Sequence, residues 1–190
     1  KIIEQVYADQ TTQLQRALRL CDEQPVILRH LNRGHLGTKH LYRFTYAHEL
    51  LKRFDHPNIA TVRDWIESDD GPVMILEDVG GIGLKRYLDK AANNQLPIEI
   101  FFKIAVQLVN ALGEIHQERL IFKNLHTRNI LINPDDASVQ VFDFDLASLL
   151  THEQPSLKPP EQIEGELDYI SPEQSGRMNC RLDYRSDFYS

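Results

Sequence analysis

The sequence contains only two cysteines, Cys21 and Cys180, and neither stands in a pattern typical of a metal site or a disulfide framework. No apolar stretch approaches the roughly 20 residues that a membrane-spanning helix needs, so no membrane span is predicted. Lysine and arginine form no run and the net charge is −7, which argues against nucleic acid as a primary partner. These absences favour a soluble domain in a reduced, cytoplasmic setting.

The first 79 residues are predicted to form an α+β unit of five strands and one helix. Three strand-like runs, separated by polar turns, fall within residues 2–31 and favour an antiparallel meander. Apolar residues recur at roughly helical spacing in residues 41–54 and predict the helix. Residues 59–68 and 72–79 supply the remaining two strands.

The tripeptide Val79-Gly80-Gly81 breaks this pattern and is interpreted as the boundary to a mainly helical part. Helices are predicted over residues 84–91 and 97–116, whereas residues 146–169 are predicted to lack regular structure. One face of the longer helix is apolar and is predicted to pack in the core. It consists of Phe101, Ile104, Ala105, Leu108, Ala111, Leu112 and Ile115.

Residues 120–145 carry polar side chains beside the ends of two short predicted strands. Asn124 and Asn129 stand five residues apart in a first loop, and Asp143 opens a second turn with the sequence DFD. Their order and spacing resemble the catalytic loop, H-R-D-x-x-x-x-N, and the metal-binding D-F-G turn of protein kinases.

Together with the strand and helix pattern, this resemblance implies a bilobal protein kinase-like fold of the α+β class. Residues 1–79 would form a five-stranded antiparallel N-lobe with one helix. Residues 80–190 would form a mainly helical, truncated C-lobe that stops at the start of its central helix.

Residues 164–190, EGELDYISPEQSGRMNCRLDYRSDFYS, are similar to a segment of bacterial serine/threonine kinase domains. Those domains lie at the front of large signalling proteins that also carry ATPase, GAF and histidine-kinase modules. Glu166 replaces a threonine that braces the catalytic loop in the family, and Asp187 keeps the start of the following helix. The resemblance implies that the partners are other signalling proteins or neighbouring domains of a longer chain.

The resemblance also implies a site for Mg·ATP between the two lobes. The proton-acceptor position of the catalytic loop is Asn124. The metal ligands would be Asn129 and Asp143. The nucleotide contacts would come from Arg29, Ile27, Glu77, Val79 and Leu131.

The departures from the family fall on the residues that do chemistry. The segment ADQTTQLQRA holds no glycine where the family has a glycine-rich phosphate loop. Arg29 stands for the phosphate-binding lysine, and Ala47 stands for the glutamate that pairs with it. Asn124 replaces the aspartate base, and an amide is not a proton acceptor at neutral pH. Asp145 replaces the glycine of D-F-G and adds negative charge beside any phosphate.

These substitutions favour a catalytically impaired kinase-like module, a pseudokinase, which regulates or scaffolds signalling proteins. They count against Mg and ATP as cofactors. Two alternatives remain: a weak or atypical serine/threonine protein kinase, and a nucleotide sensor without turnover. Purely structural roles are also open for Arg29 with its head group in solvent, Asn129 tying down its own loop and Asp143 capping a turn.

Overall fold

The computed structural model of the chain describes residues 1–91, 95–153, 164–176, 178 and 180–190. Five strands form one antiparallel sheet in the order β1-β2-β3-β5-β4. They are β1 (Ile2–Ala8), β2 (Thr12–Leu18), β3 (Pro25–Leu31), β4 (Val62–Ser68) and β5 (Gly71–Glu77). The prediction of a five-stranded antiparallel sheet is therefore confirmed.

Alternating side chains determine which face of this sheet is buried. In β5, Met74 and Leu76 are buried and their neighbours are partly exposed. In β3, Ile27 and Arg29 stand two residues apart and are both buried. The strand period therefore directs a charged side chain, that of Arg29, into the interior.

Helix α1 (Thr38–Leu51) contributes to the core beneath the sheet through one apolar face. Phe44 is fully buried, and its ring centroid lies 5.6 Å from that of Trp65 on β4. Ala47 lies on the same face, one turn later, and is also fully buried. The helix begins three residues before the predicted start, because Gly37 takes the extended N-cap conformation.

In the second part of the chain, the described residues include two α-helices, as predicted, and several short strands. The helices are α2 (Leu84–Lys90) and α3 (Ile98–Gln117). The strands are β6 (Ile82–Gly83), β7 (Leu120–Ile121), β8 (Ile130–Ile132), β9 (Val139–Val141) and β10 (Ser148–Leu149), in the orders β6-β8-β9 and β10-β7. Short 3₁₀ helices cover Arg33–His35, Leu150–His152 and Tyr184–Phe188.

The prediction that residues 146–169 lack regular structure was wrong at their start. β10 pairs with β7, where Ser148 stands opposite Ile121, and the Leu150–His152 turn follows it. The local sequence gave no strand signal, because a two-residue strand is specified by its partner rather than by its own pattern. Residues 154–163 of this predicted segment lie outside the described residues.

Backbone hydrogen bonds connect the two parts of the chain beside the sheet. Ala60 N donates to Val141 O at 2.9 Å, and Val141 N donates to Asn58 O at 3.0 Å. The Asn58 side chain also donates to Val139 O at 2.9 Å. β9 is thereby fixed to the loop before β4, and Asp143, two residues after β9, is placed in the cleft between the parts.

The apolar face of α3 is only partly covered. Ile104, Ala111, Leu112 and Ile115 are buried, as predicted, but Phe101 is 51% exposed. The prediction of core packing was wrong for Phe101, which lies on the rim of an open apolar groove near the start of the helix. Among the helices of the described residues, none combines the length and the apolar character that a membrane span requires.

Candidate functional site

The loop between β7 and β8 is held in place from below by the carboxylate of Asp187. Asp187 is 1% exposed, and it accepts hydrogen bonds from Phe122 N at 2.8 Å and Lys123 N at 2.7 Å. Its other contact is His116 Nε2 on α3, at 2.8 Å. Lys123 has a positive φ of 61°, so the turn is strained without this support. Sequence comparison identified Asp187 as conforming to the family but did not foresee this anchoring role.

Asn129 ties together the loop in which it stands. Its amide nitrogen donates to Asn124 O at 3.1 Å and lies 2.9 Å from Nε2 of His126. All three side chains are buried, and burial lowers the pKa of His126. These contacts therefore agree with the alternative in which Asn129 has a purely structural role and fastens its own loop.

Arg29 and two aspartates form a buried ion cluster where the sheet meets the turn after β9. Arg29 Nη2 lies 2.8 Å from Asp143 Oδ1 and 2.9 Å from Asp145 Oδ2. The Arg29 side chain is fully buried, and its Cζ lies 5.0 Å from the centroid of the Phe44 ring. The structural alternative in which the head group of Arg29 lies in solvent was therefore wrong.

Asp145 contributes to this cluster in a way that glycine at the same position could not. Its carboxylate is paired with Arg29. Its backbone N–H, which glycine would also supply, donates to Asp143 Oδ1 at 3.1 Å. Burial raises the pKa of Asp145 to about 7, against the opposing attraction of Arg29, and the neighbouring charge of Asp143 raises it further. One arginine thus faces two carboxylates that lie side by side, and its single positive charge balances only one of them.

The cluster is incompletely hydrogen-bonded. Among the described residues, Arg29 Nε, Arg29 Nη1 and Asp145 Oδ1 are buried without a hydrogen-bond partner. The residue at the family's glutamate position is Ala47, whose methyl group offers no acceptor. An unsatisfied buried donor costs about 1–3 kcal/mol, so this arrangement is held by the surrounding packing.

The hairpin between β1 and β2 closes on itself instead of presenting backbone amides to a ligand. Asp9 accepts hydrogen bonds from the amides of Thr11 and Thr12, both at 2.7 Å, and from the hydroxyl of Tyr7, also at 2.7 Å. The Tyr7 ring meets the edge of Phe142 with centroids 6.0 Å apart. Burial raises the pKa of Tyr7, so its hydroxyl stays neutral. An aromatic ring therefore stands over the residue that precedes Asp143.

The polar residues predicted for catalysis and metal binding line one cavity of about 310 Å³. Asn124, Asn129 and Asp143 all contribute to it, and Tyr7 and Asp9 face them from the hairpin. The structure therefore brings these three predicted residues together, although their chemical roles stay predictions.

The predicted nucleotide contacts are separated from this cavity. Ile27 and Leu131 are buried in the apolar core and are not among the residues that line it. Glu77 pairs with Arg63 at 2.7 Å, and Val79 O accepts a hydrogen bond from Asn133 Nδ2 at 2.9 Å. Arg29 lies beneath the cavity and is shielded from it by its aspartate partners.

One of the predicted Mg²⁺ ligands is engaged within the protein. Asp143 Oδ1 accepts hydrogen bonds from both Arg29 and the Asp145 amide. Asn129 is tied to its loop through its amide nitrogen, and hard cations bind the amide oxygen instead. The arrangement disfavours Mg·ATP at Asp143, because Arg29 is paired with this carboxylate and Asp145 adds a second carboxylate that would repel phosphate.

The segment that begins at residue 164 is fastened to helix α1 by charge. Glu164 pairs with Lys39 and with Arg43 Nη2, the latter at 2.5 Å. Burial alone would raise the pKa of Glu164, but hydrogen bonds from Arg43 and Lys39 lower it to about 2. Glu166, predicted as a lost brace, pairs instead with Arg128 of the loop before β8. Sequence reasoning missed both contacts, since nothing local marks the partners.

Comparisons with known proteins agree with this architecture. The family model of the protein kinase domain matches residues 10–190. The chain is similar to serine/threonine-protein kinase PrkC of Bacillus subtilis (strain 168), with 31% identity over 163 residues, which are 79% of this chain and 24% of that protein. It is 29% identical to serine/threonine-protein kinase pkn3 of Myxococcus xanthus over 184 residues, 92% of this chain and 32% of that protein.

A plant relative is more distant. Calmodulin-binding receptor-like cytoplasmic kinase 1 of Arabidopsis thaliana is 25% identical over 175 residues, 90% of this chain and 37% of that protein. The chain therefore spans about a quarter to just over a third of the length of these three relatives.

Proposed function

Since the chain belongs to the protein kinase domain family, we propose that it is a catalytically impaired member, a pseudokinase, which acts as a regulatory or scaffolding module in signalling. One observation carries this proposal. The buried cluster of Arg29, Asp143 and Asp145 joins the family's phosphate-binding and metal-binding positions to each other. Arg29 Nη2 and Asp143 Oδ1 are thereby engaged with each other instead of with a nucleotide.

The energetics of the cluster support this interpretation. Opening it for Mg·ATP would separate Arg29 from two carboxylates in a buried environment, and breaking a buried pair costs about 3–5 kcal/mol. A bound phosphate chain would also have to lie beside the carboxylate of Asp145, where like charges repel. A glycine at position 145, as in the family motif, would remove this repulsion and leave Arg29 with one carboxylate partner, Asp143.

The proton-acceptor position supports the same conclusion by an independent route. Asn124 lines the cavity, but its side-chain amide does not take up a proton at neutral pH. General-base catalysis contributes about 10²–10⁴-fold to a rate. His126 lies within the same loop, and its Nε2 is 2.9 Å from Asn129 Nδ2.

The supporting frame is intact although the chemical groups have changed. Asp187 fixes the catalytic-loop backbone, and Glu164 fixes the following segment to α1. A domain that keeps its shape and loses its chemistry is suited to contacting other signalling proteins or neighbouring domains of a longer chain. These partners are proposed from the family resemblance.

A second function, a weak or atypical serine/threonine kinase, is favoured by one specific observation. Asn129 and Asp143 retain the residue types of the metal site and share one cavity with Asn124. A nucleotide sensor that binds without turnover would use the same residues. Thermal melting with Mg·ATP, together with product analysis, separates the two, because a sensor shifts the melting temperature without forming ADP.

The direct test is transfer of labelled γ-phosphate from Mg·ATP to the chain itself or to a generic acceptor protein. We expect the wild-type protein to incorporate no more label than Asp143→Ala, which serves as the blank. A matched variant, Asn124→Asp with Asp145→Gly, restores both family residues and shows whether the frame can support transfer. Incorporation by the wild-type chain that Asp143→Ala abolishes would overturn the proposal.

A further inference from the structure

Arg16 on β2 reaches the segment that links the two parts of the chain. Its Nε donates to Asp78 Oδ2 at 2.5 Å, and its Nη2 donates to Asp78 Oδ1 at 3.2 Å and to Gly81 O at 2.7 Å. It also forms an ion pair with Glu4 on β1. The Arg16 and Asp78 side chains are only 15% and 3% exposed. A largely buried, bidentate Arg–carboxylate pair of this kind is among the strongest polar contacts in proteins.

The position of this pair is set by the strand register. Arg16 stands directly opposite Ile27 in the β2–β3 ladder, so both side chains lie on the same face of the sheet. At the other end, Gly81 lies against β8, where an added Cβ would be 3.1 Å from Cβ of Leu131. Arg16 therefore lies beside the part of the core that contains Ile27 and Leu131, both of which are buried.

Asp78 is arranged to receive the arginine. Its Oδ1 also accepts a hydrogen bond from Gly80 N at 2.9 Å, where the backbone turns with a positive φ of 74°. This turn holds the carboxylate in place and lowers the entropic cost of pairing.

We propose that Arg16 and Asp78 form a clamp that closes the nucleoside end of the cleft and excludes an adenine-type base. The inference rests on the proposed function, because it takes the position between Ile27 and Leu131, called the slot below, as the family's nucleotide site. It goes beyond that function because it assigns a second closure of the cleft to Arg16 and Asp78. This pair is separate from the cluster at Arg29 and lies outside the family motifs. The cleft is then closed at both ends by the chain's own side chains.

Adenosine is the appropriate probe, since it has no phosphate and does not depend on the state of Arg29. Calorimetric titration would compare Ile27→Ala, which makes room in the slot, with the double variant Ile27→Ala/Arg16→Ala. If the clamp is open in about a tenth of the molecules or fewer, its removal tightens adenosine binding at least about tenfold. Arg63→Ala in the same Ile27→Ala background is the matched control, because Arg63 forms an exposed pair with Glu77 beside the same linking segment.

The clamp predicts a gain of affinity with Arg16→Ala, the same gain with the isosteric Asp78→Asn, and none with Arg63→Ala. Asp78→Asn also supplies the result if circular dichroism shows that the Arg16 variant does not fold. Equal affinity with and without the clamp, or no adenosine binding by the folded double variant, would overturn the inference. If the wild-type chain binds adenosine but transfers no phosphate from Mg·ATP, only the clamp is overturned. If it also transfers phosphate from Mg·ATP, the proposed function is overturned as well.

Discussion

Arg29 and Asp145 form a buried ion pair, with 2.9 Å between Nη2 and Oδ2, that joins the third strand to the turn after β9. The same arginine nitrogen lies 2.8 Å from Asp143. Because Asp145 stands where the family motif has glycine, the second carboxylate is specific to this chain's arrangement. Arg29, which was predicted to contact the nucleotide, therefore has a structural contact within the protein.

Replacing Arg29 by methionine should destabilise the protein strongly. Asp143 and Asp145 would then share a buried site without a counter-charge, which costs about 3–5 kcal/mol in the free energy of unfolding when both are ionised, for example at pH 8. Urea denaturation measures this. The exposed pair Arg63–Glu77 gives the control, since Arg63→Met should change stability by about 0–1 kcal/mol. Equal effects for the two variants would contradict the assigned role of Arg29.

The raised pKa of Asp145 predicts a characteristic dependence of stability on pH. An acid whose pKa is about 7 in the folded state and 3.8 in the reference state binds more protons when folded between those values. Its contribution to stability is therefore full below pH 4 and is lost as the pH rises through 7. The difference in unfolding free energy between wild type and Asp145→Asn should fall over this window.

A carboxyl with the opposite shift serves as the control for that measurement. The pKa of Asp22 is lowered to about 2 by its hydrogen bond from Arg19. Its contribution therefore changes only below pH 4, and Asp22→Asn should leave the dependence between pH 5 and pH 7 unaltered. If the difference in unfolding free energy between wild type and Asp145→Asn stays constant from pH 5 to pH 7, the raised pKa of Asp145 is refuted.

Removing the Asp187 carboxylate should loosen the catalytic-loop backbone. Asp187→Ala leaves the amides of Phe122 and Lys123 without their acceptor, and each buried unsatisfied group costs about 1–3 kcal/mol. We expect a loss of roughly 2–6 kcal/mol in chemical denaturation, reflecting the two amides left without an acceptor. Asp183→Ala, which removes an exposed cap beside the same short helix, should cost about 0.5–2 kcal/mol. A smaller loss for Asp187 than for Asp183 would exclude the anchoring role.

Glu164→Gln should release the segment that begins there while changing global stability little. The pairs with Lys39 and Arg43 are partly exposed, so they contribute only about 0–1 kcal/mol to unfolding. Hydrogen exchange should nevertheless become faster in residues 164–170 and in the first turn of α1. Glu49→Gln, on the exposed face of α1, is the matched control and should leave those rates unchanged. Unaltered exchange in the Glu164 variant would show that the tether is not functional.

Periodicity and motif spacing predicted the architecture and the position of the cleft. The sheet, the three helices and the convergence of Asn124, Asn129 and Asp143 follow from local pattern, because strand ends and turns place them. Such reasoning did not predict the contacts of Arg29. A strand period shows that its side chain points inward but does not show which groups will meet it.

The contacts that local pattern did not reveal join residues far apart in sequence. Arg29 meets Asp143 across 114 positions, and Arg16 meets Asp78 across 62. Pairing at such distances depends on tertiary placement of both partners, which no local propensity encodes. The two-residue strand β10 was missed for the same reason, since it exists only through its pairing with β7.

We propose that the Arg29–Asp143–Asp145 cluster keeps Mg·ATP out of the cleft. Isothermal calorimetry of the wild-type chain with ATP, in the presence and absence of Mg²⁺, measures this exclusion. With the cluster in place, millimolar nucleotide should give no saturable heat of binding. Saturable, Mg²⁺-dependent binding that is lost in Asp143→Ala would show that the cluster does not exclude the nucleotide.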